Sequence, residues 1–207
     1  MELEAKFRVP DRATLERLVA VPRLDGYDLG PPRARHDEDV FLDTADGRLL
    51  AAGYYLRRRR NADGLRITLK ELATGTRDGL LRREEHELCA GAELLPSDWP
   101  EGPLKQRLTR IVGEADLRPI LALAQERRTR AVSLEGRLVA ELSLDIVIVD
   151  AEAHAGRWYE AEVEATEDAP GGELVRLATA LREAWGLSPE SRAKFTHALA
   201  LSAEAAP

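Results

Sequence analysis

Carboxylates and basic side chains recur at every second position along several short stretches of this 207-residue chain. Glu2, Glu4 and Lys6 alternate with Leu3, Ala5 and Phe7. Arg57 and Arg59 keep the same spacing, as do Arg66, Thr68 and Lys70, and Arg83, Glu85 and Glu87. Late in the chain Trp158, Glu160, Glu162 and Glu164 form another such row. A period of two puts side chains on one face of a β-strand. The signs are segregated: the first and last rows are acidic, with Asp145 adding a carboxylate, and the middle rows are basic. Carboxylates with no His or Cys cluster are hard oxygen ligands, suited to Mg²⁺ or Mn²⁺ rather than Zn²⁺. Arginine forks match phosphate oxygens and lysine adds a mobile point charge. A metal-binding end and a phosphate-binding wall are the parts that phosphoryl transfer needs.

One such strand alone reads as a solvated sheet face. Several together point to a sheet curled with its ionic faces inward and its apolar faces covered by helices. A barrel of about eight strands has room for one small ligand. The elements that would carry the rows are legible. Residues 2–9 alternate as a strand, and Pro10-Asp11 opens a helix with apolar Leu15, Leu18 and Val19. Strands are expected near residues 38–43, 53–60, 65–71 and 81–88, punctuated by turns at Ala45-Asp46-Gly47 and Asn61-Ala62-Asp63-Gly64. A helix is expected over 103–112. Strands follow at 120–129, 130–135, 138–149 and 157–165, then helices at 172–185, stopped by Gly186, and 191–203. Strands outnumber helices without a βα alternation, so the class is α+β. The chain reads as one domain over 1–207, with Pro96–Pro103 as the stretch that could divide it.

Bulk properties remove other classes. A hydrophobic content of 44% marks a globular protein, and a net charge of −7 disfavours nucleic-acid polymers and anionic membranes. No apolar run approaches the roughly 18 residues of a membrane span, and the N-terminus lacks a signal-peptide h-region. Cys89 is the sole cysteine, which excludes an intrachain disulfide and fits a cytoplasmic setting. His36, His86, His154 and His197 are scattered and mark no site. Trp99, Trp158 and Trp185 read as packing residues, and Cys89 as a small buried one.

The charged rows resemble the CYTH family, the triphosphate tunnel metalloenzymes. Glu2-Leu3-Glu4-Ala5-Lys6 is similar to its E-x-E-x-K opening. Asp39-Val40-Phe41-Leu42-Asp43-Thr44 resembles D-x-Y-Y-D-T, with Phe41 and Leu42 replacing the tyrosines. Leu56–Arg59, Thr68-Leu69-Lys70 and Arg83–Glu87 resemble L-R-x-R, T-x-K and R-x-E-x-E, and Ser191–Lys194 resembles a C-terminal segment whose lysine returns to the tunnel. The resemblance implies a closed eight-stranded antiparallel β-barrel with flanking helices. It implies a metal, Mg²⁺ or Mn²⁺, held by Glu2, Glu4, Asp145, Glu160 and Glu162, and phosphate held by Lys6, Arg57, Arg59, Lys70, Arg83, Arg127 and Lys194. Arg128 and Arg130 compete with Arg127 for its place. Glu164 falls nearer the rim, Arg66 shares the parity of Lys70, and Arg58 and Arg60 fall on the outer parity. Glu85 and Glu87 would orient the basic residues. Glu2, Glu4 and Lys6 are the catalytic candidates. The implied activity is metal-dependent hydrolysis of a small triphosphate, tripolyphosphate first, by a monomer or homodimer. Thiamine or nucleoside triphosphate hydrolysis, cyclisation of ATP to cyclic AMP, and non-catalytic polyphosphate binding remain as alternatives.

Overall fold

The computed structural model describes residues 2–72, 80–90, 95–149, 156–169 and 172–204, with the backbone alone at residues 2, 80–83, 203 and 204. Its elements run β1 (Glu2–Val9), α1 (Arg12–Ala20), β2 (Arg23–Leu24), β3 (Tyr27–Leu29), β4 (Arg33–Thr44), α2 (Arg48–Ala51), β5 (Tyr54–Asn61) and β6 (Gly64–Glu71). There follow β7 (Leu80–Arg83), β8 (Glu85–Ala90), α3 (Pro103–Val112), β9 (Leu117–Leu134), β10 (Arg137–Val149) and β11 (Arg157–Ala165). The chain ends with α4 (Glu173–Trp185), β12 (Ser188–Pro189) and α5 (Lys194–Glu204).

All strand pairs are antiparallel and belong to one sheet, ordered β12-β1-β11-β10-β9-β4-β5-β6-β8. The sheet draws strands from both sides of Pro96–Pro103, so that stretch does not split it. The expected closed barrel of eight strands needs correction on both counts. Among the described residues the sheet has twelve strands, and its continuous path is not closed into a ring. Short strands β2, β3 and β12 raise the count. The stretch that reaches both edges is broken at Glu84, so β7 pairs with β1 while β8 pairs with β6.

The two strands expected at 120–129 and 130–135 are one long strand, β9, of 18 residues. A tight turn then reverses the chain at Glu135 and Gly136, both at positive φ (51° and 79°). That pair of left-handed residues matches the twist of a hairpin.

Alternation puts the apolar faces outside the curve. On β1, Ala5, Phe7 and Val9 pack with Leu15 and Leu18 of α1 and Leu177 and Leu181 of α4. On β5 and β6, Leu56, Ile67 and Leu69 pack with Leu49, Trp99, Leu104 and Leu108. Each such Val, Leu, Ile or Phe side chain stabilises the fold by roughly 1.5–3 kcal/mol. Asp11 caps α1 by accepting a 2.7 Å hydrogen bond from the Thr14 amide, and Gly113 and Gly186 end α3 and α4 at positive φ. α5 packs differently: Phe195 stacks on Phe41 and Tyr55, with centroids 4.9 and 5.4 Å away. Cys89 is exposed, not buried as expected, because its side of β8 carries no covering helix residue in the apolar clusters.

Candidate active site

The inner faces of the sheet enclose a cavity of about 250 Å³ with an overwhelmingly charged lining. β1 contributes Glu4 and Lys6, β5 contributes Arg57 and Arg59, and β6 contributes Arg66 and Lys70. Glu85 and Glu87 come from β8, Arg127 from β9, Glu162 and Glu164 from β11, and Lys194 from the start of α5. The period-two rows therefore do meet across one lumen. Glu4, Lys6, Arg59 and Lys70 are buried. Asp145 and Glu160, also buried, do not line the cavity but contact Lys194 at its wall. Glu2 and Arg83 stand opposite each other in the β1–β7 register; their side chains lie outside the described residues.

Two ion clusters organise the lumen. In the first, the Lys194 ammonium lies 2.9 Å from Asp145, 3.2 Å from Glu160 and 2.6 Å from Glu162. Arg127 donates in a fork to Asp145 (2.7 and 2.5 Å) and reaches Glu162 at 2.8 Å. Lys6 sits 3.0 Å from Glu162. The Trp158 indole N–H donates to the other Glu160 oxygen at 2.6 Å and fixes that carboxylate. Burial pushes the Glu162 carboxyl up, but Lys194, Lys6 and Arg127 outweigh it and hold it well below the usual range. Burial likewise opposes ionisation of Asp145, and Arg127 and Lys194 reverse the effect. The bases gain in return: burial would lower Lys194 and Arg127, yet the surrounding acids raise both.

The second cluster was only partly foreseen. Arg59 donates in a fork to Asp39, both bonds 2.7 Å, and lies 3.0 Å from Asp37. Arg57 stands 4.0 Å from Asp39, and Gln125 donates to the same carboxylate. Burial raises the Asp39 carboxyl, but Arg57 and Arg59 pull it below its ordinary value. Lys70 pairs with Glu85 at 2.8 Å and Arg66 with Glu87 at 3.2 Å. The Nε of Arg57 and the hydroxyl of Thr68 are buried with no hydrogen-bond partner, a costly arrangement unless a ligand meets them.

Arg35, Asp37, Asp39, Glu141, Ser143 and Gln125 escaped the sequence reading as site residues. The signal was present, since Arg35, Asp37 and Asp39 alternate on β4 and Glu141, Ser143 and Asp145 on β10. It was diluted by a β4 that begins earlier than expected, at Arg33. Asp43 of the same motif serves the backbone: it accepts from the amides of Thr44, Leu49 and Leu50 and so caps α2. Arg58 faces outward among Leu42, Leu65 and Ile67, as its parity implies. Phe41, Tyr55 and Phe195 form an apolar patch on the lumen wall beside Lys194.

Asp145, Glu160 and Glu162 have the hard-oxygen chemistry that suits a divalent ion. Among the described residues, however, no three ligating groups are arranged around a common metal position. All three acids converge instead on the Lys194 ammonium, with Arg127 and Lys6 beside it.

A family model for the CYTH domain matches residues 1–196, and the chain belongs to that family. HpAC1 from Hippeastrum, a candidate adenylyl cyclase with a dominant triphosphatase activity, is similar at 21% identity with a TM-score of 0.74, covering 97% of this chain and 96% of that one. A candidate adenylate cyclase from Bacillus halodurans is similar at 21% identity and TM-score 0.67, covering 95% and 96%. The PH1819 protein of Pyrococcus horikoshii is similar at 15% identity and TM-score 0.58, covering 98% and 99%. These likenesses show the fold. A search of curated protein sequences finds no significant match. No helix among the described residues is long and apolar enough to cross a membrane.

Proposed function

We propose that this CYTH protein hydrolyses a small triphosphate, inorganic tripolyphosphate first, with a divalent metal, Mg²⁺ or Mn²⁺. The observation that carries the reading is a lumen with a basic wall, Arg57, Arg59, Arg66 and Lys70, and with Glu162 and the underlying acids Asp145 and Glu160 gathered around Lys194 at another part of its wall. Asp145, Glu160 and Glu162 lie together beside the basic wall and have the hard-oxygen chemistry that suits a divalent ion. The metal would be held by Glu4, Asp145, Glu160 and Glu162 with Glu2, and would neutralise phosphate charge as a Lewis acid.

The rest falls to the chain. Arg57, Arg59 and Lys70 grip phosphate oxygens, joined by Lys6, Arg83, Arg127 and Lys194. The partnerless Arg57 Nε donates to the same group. These donors are set before substrate arrives, because Asp39 holds the Arg59 fork and Glu85 the Lys70 ammonium. Such preorganised charge is what stabilises a phosphoryl-transfer transition state. Glu2 and Glu4 orient the attacking water, and Lys6 neutralises charge beside them. The likeness to HpAC1, with its dominant triphosphatase activity, supports hydrolysis.

The candidate cyclases among similar structures favour a second reading, cyclisation of ATP. It needs a base-binding surface, and Phe41, Tyr55 and Phe195 stack on one another instead. Orthophosphate release from tripolyphosphate, with Mg²⁺, Mn²⁺ or chelator and alongside Glu4→Gln, tests the proposal. We expect metal-dependent release that the substitution abolishes. Absence of release, with cyclic AMP formed from ATP, would transfer the site to the cyclase reading.

A further inference from the structure

We infer that Lys194 is a displaceable internal cation: it holds Asp145, Glu160 and Glu162 together in the metal-free protein, and an entering divalent metal must expel its ammonium. The inference rests on the metal-dependent reading above. Three carboxylates approach one Nζ atom within 3.2 Å. Without that ammonium they would repel one another in a buried site, where unpaired charge is costly.

Arg127 is the other cation of the cluster, but it is not the one to leave. Its fork makes two bonds to Asp145 and a third to Glu162, a geometry that a planar guanidinium holds tightly. Lys194 is a point charge on a flexible four-carbon stem. One of its three contacts is imperfect, since the Glu160 oxygen facing it forms no hydrogen bond. The opposite oxygen of that carboxylate is pinned by Trp158, so Glu160 stays in place for another cation. Outer-shell bonds of this kind orient metal ligands.

The backbone around Lys194 is anchored independently of its ammonium. The next residue, Phe195, is buried and stacked on Phe41 and Tyr55. The side chain can therefore swing into the adjoining cavity, whose lining it already joins, while α5 stays seated. Metal arrival would then add a positive charge to the phosphate-binding space in the same event that fills the acidic cluster.

The test is calorimetric titration of the metal-free protein with MnCl₂ alone, comparing wild type with Lys194→Met and Lys70→Met. Removing a competing charge at this distance raises Mn²⁺ affinity by about tenfold or more. Lys70→Met reports the general effect of losing one lumen cation and is expected to change affinity several-fold less. Equal or weaker Mn²⁺ binding by Lys194→Met, with wild type binding Mn²⁺, overturns the inference and leaves the metal-dependent reading intact. Failure of both proteins to bind Mn²⁺ overturns that reading, and the inference with it. Should Lys194→Met not fold, acetylation of wild type by acetic anhydride, followed by mass spectrometry, gives the same answer. Mn²⁺ is expected to increase modification of Lys194, and unchanged or reduced modification contradicts displacement.

Discussion

Arg127 and Arg130 lie three residues apart on β9 and are both largely withdrawn from water, yet they are held in opposite ways. Arg127 faces the lumen and is bound by carboxylates, Asp145 and Glu162. Arg130 faces the helix-covered side, with Val132, and touches no carboxylate among the described residues. It donates to five main-chain carbonyls: Leu18, Val19 and Val21 at the end of α1, and Leu29 and Gly30 at the end of β3. The end of a helix leaves carbonyls unmet and carries partial negative charge, so this guanidinium works as a structural strut. Burial alone lowers its basicity, while the acids around Arg127 raise that of the lumen residue. The lesson is that carbonyl dipoles are fixed, whereas lumen ions can exchange partners. A phosphate or a metal can take the place of one carboxylate or one ammonium.

The largest contrast is expected in activity. Arg127→Met removes a lumen donor and is expected to lower triphosphate turnover by about 100-fold or more, measured as orthophosphate release at saturating metal. Arg130→Met is expected to leave turnover per folded molecule within about twofold. An equal loss in both would erase the distinction between the faces.

Stability should show the reverse pattern. Arg130→Met strands carbonyls without donors and is expected to cost about 3 kcal/mol, or roughly 6–12 °C in Tm for a chain of this size, by calorimetric melting. Acid sensitivity is smaller and belongs to the lumen alone. The folded pKa values of Glu162 and Asp145 lie below their ordinary values of 4.5 and 3.8. Their stabilisation is therefore complete above about pH 4.5 and lost as pH falls through the lowered folded values. Denaturant titrations of metal-free Glu162→Gln should show lower stability at pH 7 and a flatter acid limb than wild type. The smallest effect is at the opposite end of the Arg130 helix. Asp11→Ala removes the α1 cap at about 1 kcal/mol, with turnover unchanged.

Much of this arrangement was legible because strand alternation records which way each side chain points. The rows Glu4-Lys6, Arg57-Arg59 and Arg66-Lys70 needed only that to be placed on one lumen. Helices α1 and α4 were equally open to reading through Asp11 and Gly186. The choice among Arg127, Arg128 and Arg130 was not legible. It depends on the β9–β10 register, which a bulge near Leu138 shifts. The break at Glu84 was hidden for a related reason. The Glu84 carbonyl still accepts from the Glu71 amide while its side chain meets Arg107 of α3, a contact between elements that no local pattern encodes. Asp39 was visible as part of a motif, but its hold on Arg59 requires β4 and β5 to be paired with those residues opposite.

Triphosphate and metal are expected to bind together in the lumen. A crystal structure with Mn²⁺ and non-hydrolysable imidotriphosphate tests it most directly. Phosphate density is expected against Arg57, Arg59 and Lys70, with an anomalous Mn²⁺ peak beside Asp145, Glu160 and Glu162. An empty lumen, or imidotriphosphate bound only on the outer surface, would contradict it.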